Sequence, residues 1–212
     1  MSRFKDLVKK FHDLPVPQNR IGGDARVSAV LMALTDEDAT RIVLTRRSQL
    51  LRFHPGQISF PGGSLDHGET AVEAALREAH EEVGLNPMNV AVLGELPDLS
   101  LAASTNSVTP ILGVIAPHEE PRAIDEREVE AVLFPALTDL AEPEIRCVAT
   151  IPGHTYRGPA FALDEAFVWG FTAHLIDVLL AVGGWERSWD TTRTVDVPRE
   201  YRRDRADLYR DH

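Results

Sequence analysis

One segment of this 212-residue chain, the helix predicted between Thr70 and Gly84, constrains the fold more than any other. Thr70 and Glu73 have the spacing of a capping box, in which each side chain satisfies a backbone donor of the other residue. Gly84 suits a left-handed C-terminal cap, and Pro87 prevents continuation of the helix. Between these ends runs one apolar stripe at spacings of three and four residues, formed by Val72, Ala75, Leu76, Ala79 and Val83. The pattern predicts an amphipathic helix with one buried face.

Most of the remaining sequence predicts strands. Residues 26–34 and 41–47 predict a hairpin, and a loop rich in proline and glycine follows it. After the capped helix, strands are predicted within 89–96, 108–117, 128–140 (ending in a short helical turn) and 145–163 (a hairpin). An apolar helix is predicted over 166–182, closed by Gly183 and Gly184. Because strands dominate without regular βαβ alternation, the predicted class is α+β, with a mixed β-sheet between helices.

The two ends of the chain depart from this pattern. Residues 1–24 predict a short helix docked on the domain, followed by a linker, and its apolar positions are Phe4, Leu7, Val8 and Phe11. Residues 186–212 carry seven basic and seven acidic side chains and are interpreted as a charged, solvated extension. A dimer arm or a packed helix is the alternative for this tail. The main domain is accordingly predicted over 25–185.

The charge of the chain argues against several classes of function. Lysine and arginine number 22 against 33 acidic residues, and a net charge of −11 repels nucleic acid and anionic membranes. Residues 166–185 have the length of a bilayer span, but Asp177 near the middle is costly in lipid, so a buried helix is predicted there. Its aromatic residues are interpreted as core: Phe167, Trp169 and Phe171. The single cysteine, Cys147, is predicted to be a buried free thiol, which fits a cytoplasmic protein.

Three carboxylates on the capped helix point to chemistry. Glu78, Glu81 and Glu82 stand at positions i, i+3 and i+4, where like charges destabilise a helix by roughly 0.2–0.5 kcal/mol per pair. Arg77 is adjacent but does not neutralise three carboxylates. One interpretation is a solvated acidic face. The other is a site for a hard cation, because Mg²⁺ and Mn²⁺ prefer carboxylate oxygens. The spacing alone does not decide between them.

The residues around the cluster favour the cation site. From Gly63 to Leu85 the sequence reads GSLDHGETAVEAALREAHEEVGL. This spacing resembles the Nudix box of the diphosphate hydrolases that cleave a nucleoside diphosphate linked to another moiety. Nearly every fixed position of the box is met, although Ala79 stands where the family usually has a bulkier aliphatic residue. The resemblance implies a Nudix fold, an α/β/α sandwich with a mixed sheet.

The resemblance also implies roles for individual residues. Glu78 and Glu82 are implied to be the main ligands of Mg²⁺ or Mn²⁺, and Glu81 completes or supports the site. Arg77 is implied to orient a glutamate through a charge-assisted hydrogen bond. The metal would polarise a phosphoryl oxygen and deliver a water molecule as the nucleophile. Glu78, Glu81 and Arg77 are therefore the predicted catalytic residues.

Other roles in the box depend on its loop and on residues beyond it. Glu69 is interpreted as a brace between the loop and the helix, and Gly62 and Gly63 are predicted to let the backbone approach the metal or the diphosphate. The general base is either a box glutamate, Glu78 or Glu81, or a carboxylate of a later loop. The candidates in that loop are Glu119, Glu120, Asp125 and Glu126.

The segment before the box bears on the substrate. Residues 43–63, VLTRRSQLLRFHPGQISFPGG, resemble the signature of the coenzyme A diphosphatase branch of the Nudix family, with Val43 where that signature favours leucine. Coenzyme A carries a diphosphate and a separate 3′-phosphate. Arg47 and Arg52 fall on signature positions and are predicted to recognise phosphate or the pantetheine side. Arg46 is interpreted as a solvated charge at a strand end.

These observations predict a Nudix hydrolase that cleaves coenzyme A or its derivatives to 4′-phosphopantetheine and adenosine 3′,5′-bisphosphate. The protein is predicted to be cytoplasmic, and the resemblance implies a homodimer. ADP-ribose, NADH or another nucleoside diphosphate derivative is the alternative substrate. The alternative of another class is a catalytically silent Nudix domain that senses a ligand or binds a partner. Such a domain has no need of mutually repelling carboxylates, which favours the enzyme.

Overall fold

The computed structural model describes Phe4 and residues 6–14, 27–97 and 107–202. Predictions about the linker before the domain, the centre of the loop predicted over 97–107 and the last ten residues of the tail lie outside these residues. Among the residues described, no helix combines the length and the apolar character that crossing a bilayer requires.

The helices and strands of the described residues follow one another along the chain. They are α1 (Leu7–His12), β1 (Val27–Thr35), β2 (Leu44–Arg47), β3 (Ile58–Ser59), β4 (Gly62–Ser64), α2 (Ala71–Val83), β5 (Val90–Glu95), β6 (Ser107–Ile115), β7 (Val129–Leu133), α3 (Leu137–Leu140), β8 (Arg146–Thr150), β9 (Arg157–Leu163), β10 (Ala166–Val168), α4 (Gly170–Gly183) and β11 (Thr194–Asp196). Single turns of 3-10 helix, Pro87–Asn89 and Arg199–Tyr201, precede β5 and follow β11.

The central sheet has the strand order β4-β1-β6-β5, in which β1 pairs in parallel with β6 and antiparallel with β4. Side chains of a strand alternate between the two faces of a sheet. Leu31 and Ala33 of β1 accordingly pack with residues of α2, whereas Met32 and Leu34 pack with residues of α1 and α4. The sheet is mixed and lies between helices, which confirms the predicted α+β class and sandwich architecture.

The hairpin predicted from residues 26–34 and 41–47 forms only at its turn. Leu34 and Ile42 make an isolated antiparallel bridge, after which β2 pairs with β3 and β7 in a second sheet. The reason is that β6 occupies one edge of β1 and β4 occupies the first part of the other. The hairpin prediction is therefore wrong beyond the turn.

A third sheet, β10-β9-β8-β11, contains the predicted hairpin of β8 and β9. The helix predicted over 166–182 begins too early, because Ala166–Val168 pairs with β9 as a strand. Gly170, at φ 67°, makes the change of direction into α4, and Gly184 caps the helix at φ 81° as predicted. Cys147 of β8 is a buried free thiol, as predicted.

Both ends of the described chain pack on the domain. Phe4, Leu7 and Phe11 are buried, and α1 contacts α4 and β5, which confirms the docked N-terminal helix. Residues 186–202 are not the solvated extension that their composition predicts. β11 pairs in parallel with β8, and the following residue, Val197, is fully buried. Backbone hydrogen bonds to an open strand edge need no apolar periodicity in the sequence. The charged composition of this segment therefore gave no indication of a strand.

Candidate active site and metal centre

Local sequence determines where α2 begins and ends. The Thr70 hydroxyl accepts a hydrogen bond from the Glu73 backbone amide at 3.2 Å, and the Glu73 carboxylate accepts one from the Thr70 amide at 2.9 Å. Gly84 adopts the left-handed conformation at φ 72°, and its backbone amide donates to carbonyls of the last turn. The predicted capping box and C-terminal cap are confirmed. They set the rotation of α2, and with it the direction of its carboxylates.

Three carboxylates converge between α2 and the start of β7. Ligand oxygens of Glu78, Glu82 and Glu128 lie within 4.8 Å of one another. Glu82 is only 4% exposed and the side chain of Glu78 is 15% exposed, so two of the three carboxylates of α2 are withdrawn from solvent. Glu81 is 57% exposed at its side chain, pairs with Arg77 and is not part of the cluster. The third member, Glu128, is exposed.

Burial destabilises the ionised carboxylates of the cluster unless a positive charge lies beside them. Burial raises the pKa of Glu82 to about 8, and the negative charge of Glu78 adds to the increase. The hydrogen bond from the Gly62 amide and the positive charge of Arg47 act in the opposite direction. Burial likewise raises the pKa of Glu78, against the effect of the Arg77 guanidinium. A divalent cation would supply the missing positive charge, and carboxylate oxygens are suitable ligands for Mg²⁺ or Mn²⁺.

Arg77 connects the box loop to the carboxylates of the helix. Its Nε and Nη2 donate to the two oxygens of Glu69 at 2.9 and 3.0 Å, and Nη1 donates to Glu78 at 2.9 Å and to Glu81 at 3.2 Å. Nη2 also donates to the Ser64 carbonyl at 3.1 Å. These contacts lower the pKa of Glu69 and raise that of Arg77. The arrangement agrees with the predicted roles, Arg77 orienting a glutamate and Glu69 bracing the loop.

The two glycines of β4 are needed because backbone and carboxylates approach closely. The Gly62 amide donates to Glu82 at 3.1 Å. A Cβ at Gly63 would lie 2.5 Å from Cδ of Glu78, and a Cβ at Gly62 would lie 2.7 Å from Cα of Val30. No side chain fits at either position without displacing the sheet or the carboxylate. Contact with the Glu78 carboxylate thus explains Gly63, whereas Gly62 is explained by its close approach to the β1 backbone at Val30.

The two arginines predicted to bind substrate occupy different surroundings. Arg47 ends β2, is partly buried, and its Nε has no hydrogen-bond partner among the described residues. Arg52 lies in the exposed loop between β2 and β3, with its guanidinium 5.2 Å from the centre of the Phe53 ring. The loop joins the site at its start, where the Ser48 amide donates to the Glu128 carbonyl at 2.8 Å.

Arg46, which the sequence places as a solvated charge, is partly buried instead. Its guanidinium donates to the Glu165 carbonyl in the turn between β9 and β10, and one of its nitrogens lies 3.9 Å from Glu130. The interpretation as a solvated residue is therefore wrong. Its contacts hold β2 against the third sheet.

The carboxylates predicted in the later loop do not reach the cluster, whereas Glu128 does. Glu119 bonds the side chain of Asn89, and Asp125 pairs with Arg127, which lowers the pKa of Asp125 to about 2. Glu120 and Glu126 are not among the clustered carboxylates of the described residues. Glu128, directly before β7, was missed. Its signal is a glutamate at the start of a predicted strand, but the pairing partner of that strand cannot be read from the sequence.

Comparison with known proteins gives consistent relatives. Residues 25–149 match the family model of the NUDIX domain. The chain is 35% identical over 182 residues to an uncharacterized Nudix hydrolase, NudL, of Enterobacter sp. (strain 638), covering 84% of this chain and 94% of the relative. The NudL of Escherichia coli O7:K1 is 36% identical with the same coverage. The crystal structure of a MutT NUDIX hydrolase from Burkholderia pseudomallei has a TM-score of 0.43 at 28% identity, covering 57% of this chain and 90% of that one.

Proposed function

This chain belongs to the Nudix hydrolase family, and on that premise we propose that it hydrolyses coenzyme A or a derivative of it with Mg²⁺ or Mn²⁺. One observation carries the proposal. The carboxylates of Glu78, Glu82 and Glu128 converge beside Arg47, whose segment resembles the coenzyme A diphosphatase signature. The centre and the signature therefore belong to one place in the fold.

The carboxylate donors fit a hard divalent cation. Three carboxylates with oxygens within 4.8 Å of one another repel unless a cation lies between them, and one of them is nearly fully buried. Glu78, Glu82 and Glu128 would hold the cation. Oxygen ligands without histidine or cysteine suit Mg²⁺ or Mn²⁺ better than softer metals. When bound, the cation neutralises charge that develops on the diphosphate during hydrolysis.

The protein side chains orient and deprotonate the attacking water. The water oxygen forms a bond to one phosphorus, the bond from that phosphorus to the bridging oxygen breaks, and a carboxylate accepts the proton of the water. Attack at either phosphorus gives 4′-phosphopantetheine and adenosine 3′,5′-bisphosphate. The four candidates of the later loop lie outside the cluster, which favours Glu78, the box glutamate within it, as the base, and Glu81 is the alternative. Arg77 holds Glu78 and Glu81 in place.

Arg47 and Arg52 supply positive charge to a strongly anionic substrate. The unpaired Nε of Arg47 faces the site from the end of β2 and is a donor for a phosphate oxygen. Arg52 extends the same positive region into the loop that begins beside Glu128. A chain of net charge −11 needs such local arginines to attract coenzyme A.

Hydrolysis of coenzyme A by the purified protein, with and without Mg²⁺ or Mn²⁺ and with products resolved by mass, tests the proposal. We expect 4′-phosphopantetheine and adenosine 3′,5′-bisphosphate only when the metal is present. ADP-ribose and NADH are run in parallel. Cleavage of either of these with coenzyme A left intact would keep the hydrolase and overturn the substrate.

The homodimer and the cytoplasmic location stay predictions. The homodimer rests on the family resemblance, and sedimentation of the purified protein at micromolar concentration tests it. The cytoplasmic location is supported by the buried free thiol of Cys147, and fractionation of cells that produce the protein tests it.

A further inference from the structure

A second polar region lies on the third sheet, outside the carboxylate centre. It is a pocket of about 440 Å³, within the size range of ligand sites. Its lining comes from the β8–β9 turn, the residue before α4 and the turn after β11: Ile151, Pro152, His154, Trp169, Arg199 and Arg202. Among these described residues there is no carboxylate, in a chain of net charge −11. The pocket therefore attracts an anion.

The pocket also offers an aromatic surface and unpaired donors. Trp169 Nε1 and Arg202 Nε are buried, and neither has a hydrogen-bond partner among the described residues. Buried donors in folded proteins normally have a partner, so both call for an acceptor. The Trp169 ring is held edge-on by Tyr156, with ring centres 5.5 Å apart, and the Tyr156 hydroxyl accepts a hydrogen bond from the Gly170 amide. Trp169, interpreted from the sequence as core, is thus a fixed wall of the pocket.

Strand pairing places Gln57, which contacts the segment that lines this pocket, beside Arg47 of the carboxylate centre. Arg46 lies opposite Ile58 in the pairing of β2 and β3, and the Arg47 amide donates to the Gln57 carbonyl at 2.9 Å. Residues opposite one another in an antiparallel pair project their side chains to the same face. Gln57 therefore shares a face with Arg47, which lies close enough to Glu82 to lower its pKa.

The side chain of Gln57 connects the two regions directly. Its Nε2 donates to the Tyr201 carbonyl at 2.7 Å, and Arg202 is the next residue. The Tyr201 ring packs against Phe167 of β10 at 6.3 Å between ring centres. Arg47, Gln57 and Tyr201 thus form a continuous connection between the carboxylate centre and the pocket. A substrate with a diphosphate at the centre can extend its nucleotide end along this connection.

From these contacts we infer that the pocket of Trp169, Arg199 and Arg202 binds the adenosine 3′-phosphate end of the substrate whose diphosphate lies at the carboxylate centre. The inference rests on the proposed function. Trp169 offers a ring face on which the purine stacks, and its in-plane N–H is a donor for an oxygen of the ribose or of the 3′-phosphate. The two arginines are donors for the 3′-phosphate, with the geometry that forked phosphate contacts need. Arg47 then faces the diphosphate between the two regions.

The test compares coenzyme A with dephospho-coenzyme A, which lacks the 3′-phosphate. The variants are the double exchange Arg199→Ala with Arg202→Ala and, as a matched control, Arg187→Ala. Arg187 belongs to the same C-terminal segment, but it pairs with Glu142 and does not line the pocket. We expect the double variant to lower kcat/KM for coenzyme A about 10- to 100-fold, mainly through KM. We expect less than about threefold change for dephospho-coenzyme A, and none for the control on either substrate.

Calorimetric titration with adenosine 3′,5′-bisphosphate provides a readout that needs no turnover. Binding to the wild type is expected, with the dissociation constant raised about tenfold or more in the double variant and unchanged in Arg187→Ala. The single exchange Arg199→Glu, at an exposed residue, keeps Arg202 and is also expected to raise the dissociation constant for the bisphosphate. Equal losses on both substrates, or unchanged bisphosphate binding in the arginine variants, would overturn the inference. Failure of the wild type to cleave coenzyme A would instead overturn the proposed function.

Discussion

The carboxylate centre and the C-terminal pocket are oppositely charged regions whose residues are distributed along the chain in opposite ways. Glu78, Glu82 and Arg77, which donates to Glu78, lie on one helix, preceded by the glycines of β4. The pocket takes its lining from three connections that are far apart in sequence. Helix geometry alone determines the mutual positions of residues three and four apart. The pocket exists only because β8, β9 and β11 pair with one another.

The difference shows which parts of a site local sequence determines. Even the carboxylate centre has one member, Glu128, that comes from a distant strand. Its position depends on the pairing of β2 with β7, as the pocket depends on the pairing of β8 with β11. The relative positions of site residues on one helix or strand can be predicted from their spacing in the sequence. A residue contributed by a second element cannot be predicted in this way.

The largest effect is expected at the helix-borne part of the centre. Glu82→Gln removes a buried carboxylate from the cluster and is expected to lower kcat/KM at least about a thousandfold, because a cation site worth several kcal/mol loses a charged ligand. Steady-state kinetics with added Mg²⁺ or Mn²⁺ measures this, and thermal unfolding verifies the fold. Near-normal turnover with a normal melting curve would contradict the assignment.

Gly63→Ala tests whether close backbone approach matters as much as the carboxylate itself. The new Cβ would lie 2.5 Å from Cδ of Glu78, so the carboxylate must move, and we expect roughly a hundredfold loss of kcat. Gly68→Ala is the control, because nothing lies within 4 Å of its Cβ although its φ of 85° strains an alanine. The control is expected to lose stability and keep its activity. Equal activity losses in the two variants would refute this explanation of Gly63.

Glu128→Gln separates the contribution of the distant strand from that of the helix. We expect a loss of kcat/KM of about 10- to 100-fold, with an increase in the metal concentration needed for half-maximal activity. Glu126→Gln is the matched control, two residues away and outside the cluster. If Glu126 rather than Glu128 proves sensitive, the third ligand follows the sequence-based candidates and the structural assignment fails.

Val197→Ala tests the packing of the C-terminal segment independently of chemistry. Val197 is fully buried after β11, and its truncation is expected to lower the free energy of unfolding by about 1–3 kcal/mol. Val92→Ala, at a position 37% exposed, should cost less than about 1 kcal/mol. Denaturant unfolding at constant slope compares them. An unchanged stability in Val197→Ala would show that the segment does not contribute to the folded domain.

Without metal, the stability of the protein is expected to depend on pH through Glu82. Burial raises the pKa of Glu82 to about 8, whereas its ordinary value is 4.5. Stability from the neutral carboxyl is fully present below pH 4.5 and is lost as the pH rises through 8. Glu82→Gln does not titrate, so without metal it should exceed the wild type by several kcal/mol near pH 8 and by little near pH 4.5, at about 1.4 kcal/mol for each unit of the pKa shift.

Addition of Mg²⁺ or Mn²⁺ distinguishes the origin of that difference. A cation bound to the wild type stabilises its folded state, so the advantage of Glu82→Gln should shrink or reverse when the metal is present. Melting temperatures at pH 5 and pH 8, with metal or chelator, give the four values needed for each of the two proteins. An advantage that does not depend on pH would point to packing rather than to ionisation of Glu82.

Much of the fold was predictable because its signals are local. The capping box at Thr70, the cap at Gly84 and the apolar alternation of the strands depend on neighbouring residues. The strand at Ala166–Val168 was not predictable, since its apolar residues fit a helix equally well and only its pairing with β9 makes it a strand. The burial of Arg46 escaped prediction for the same reason, because its acceptor lies 119 residues away.

The sequence by itself determined α2, its caps and the placing of Glu78 and Glu82 on one side of it, because helix geometry relates these residues directly. The pairing of Arg77 with a glutamate was implied by the resemblance to the Nudix box. Only the tertiary structure decided that Glu128 completes the cluster, that Glu82 is buried, and that the charged C-terminal segment packs beside β8. The physical reason is that strand pairing is made by backbone hydrogen bonds, which every residue but proline offers equally. Which strand edge remains open for pairing is a property of the assembled sheets.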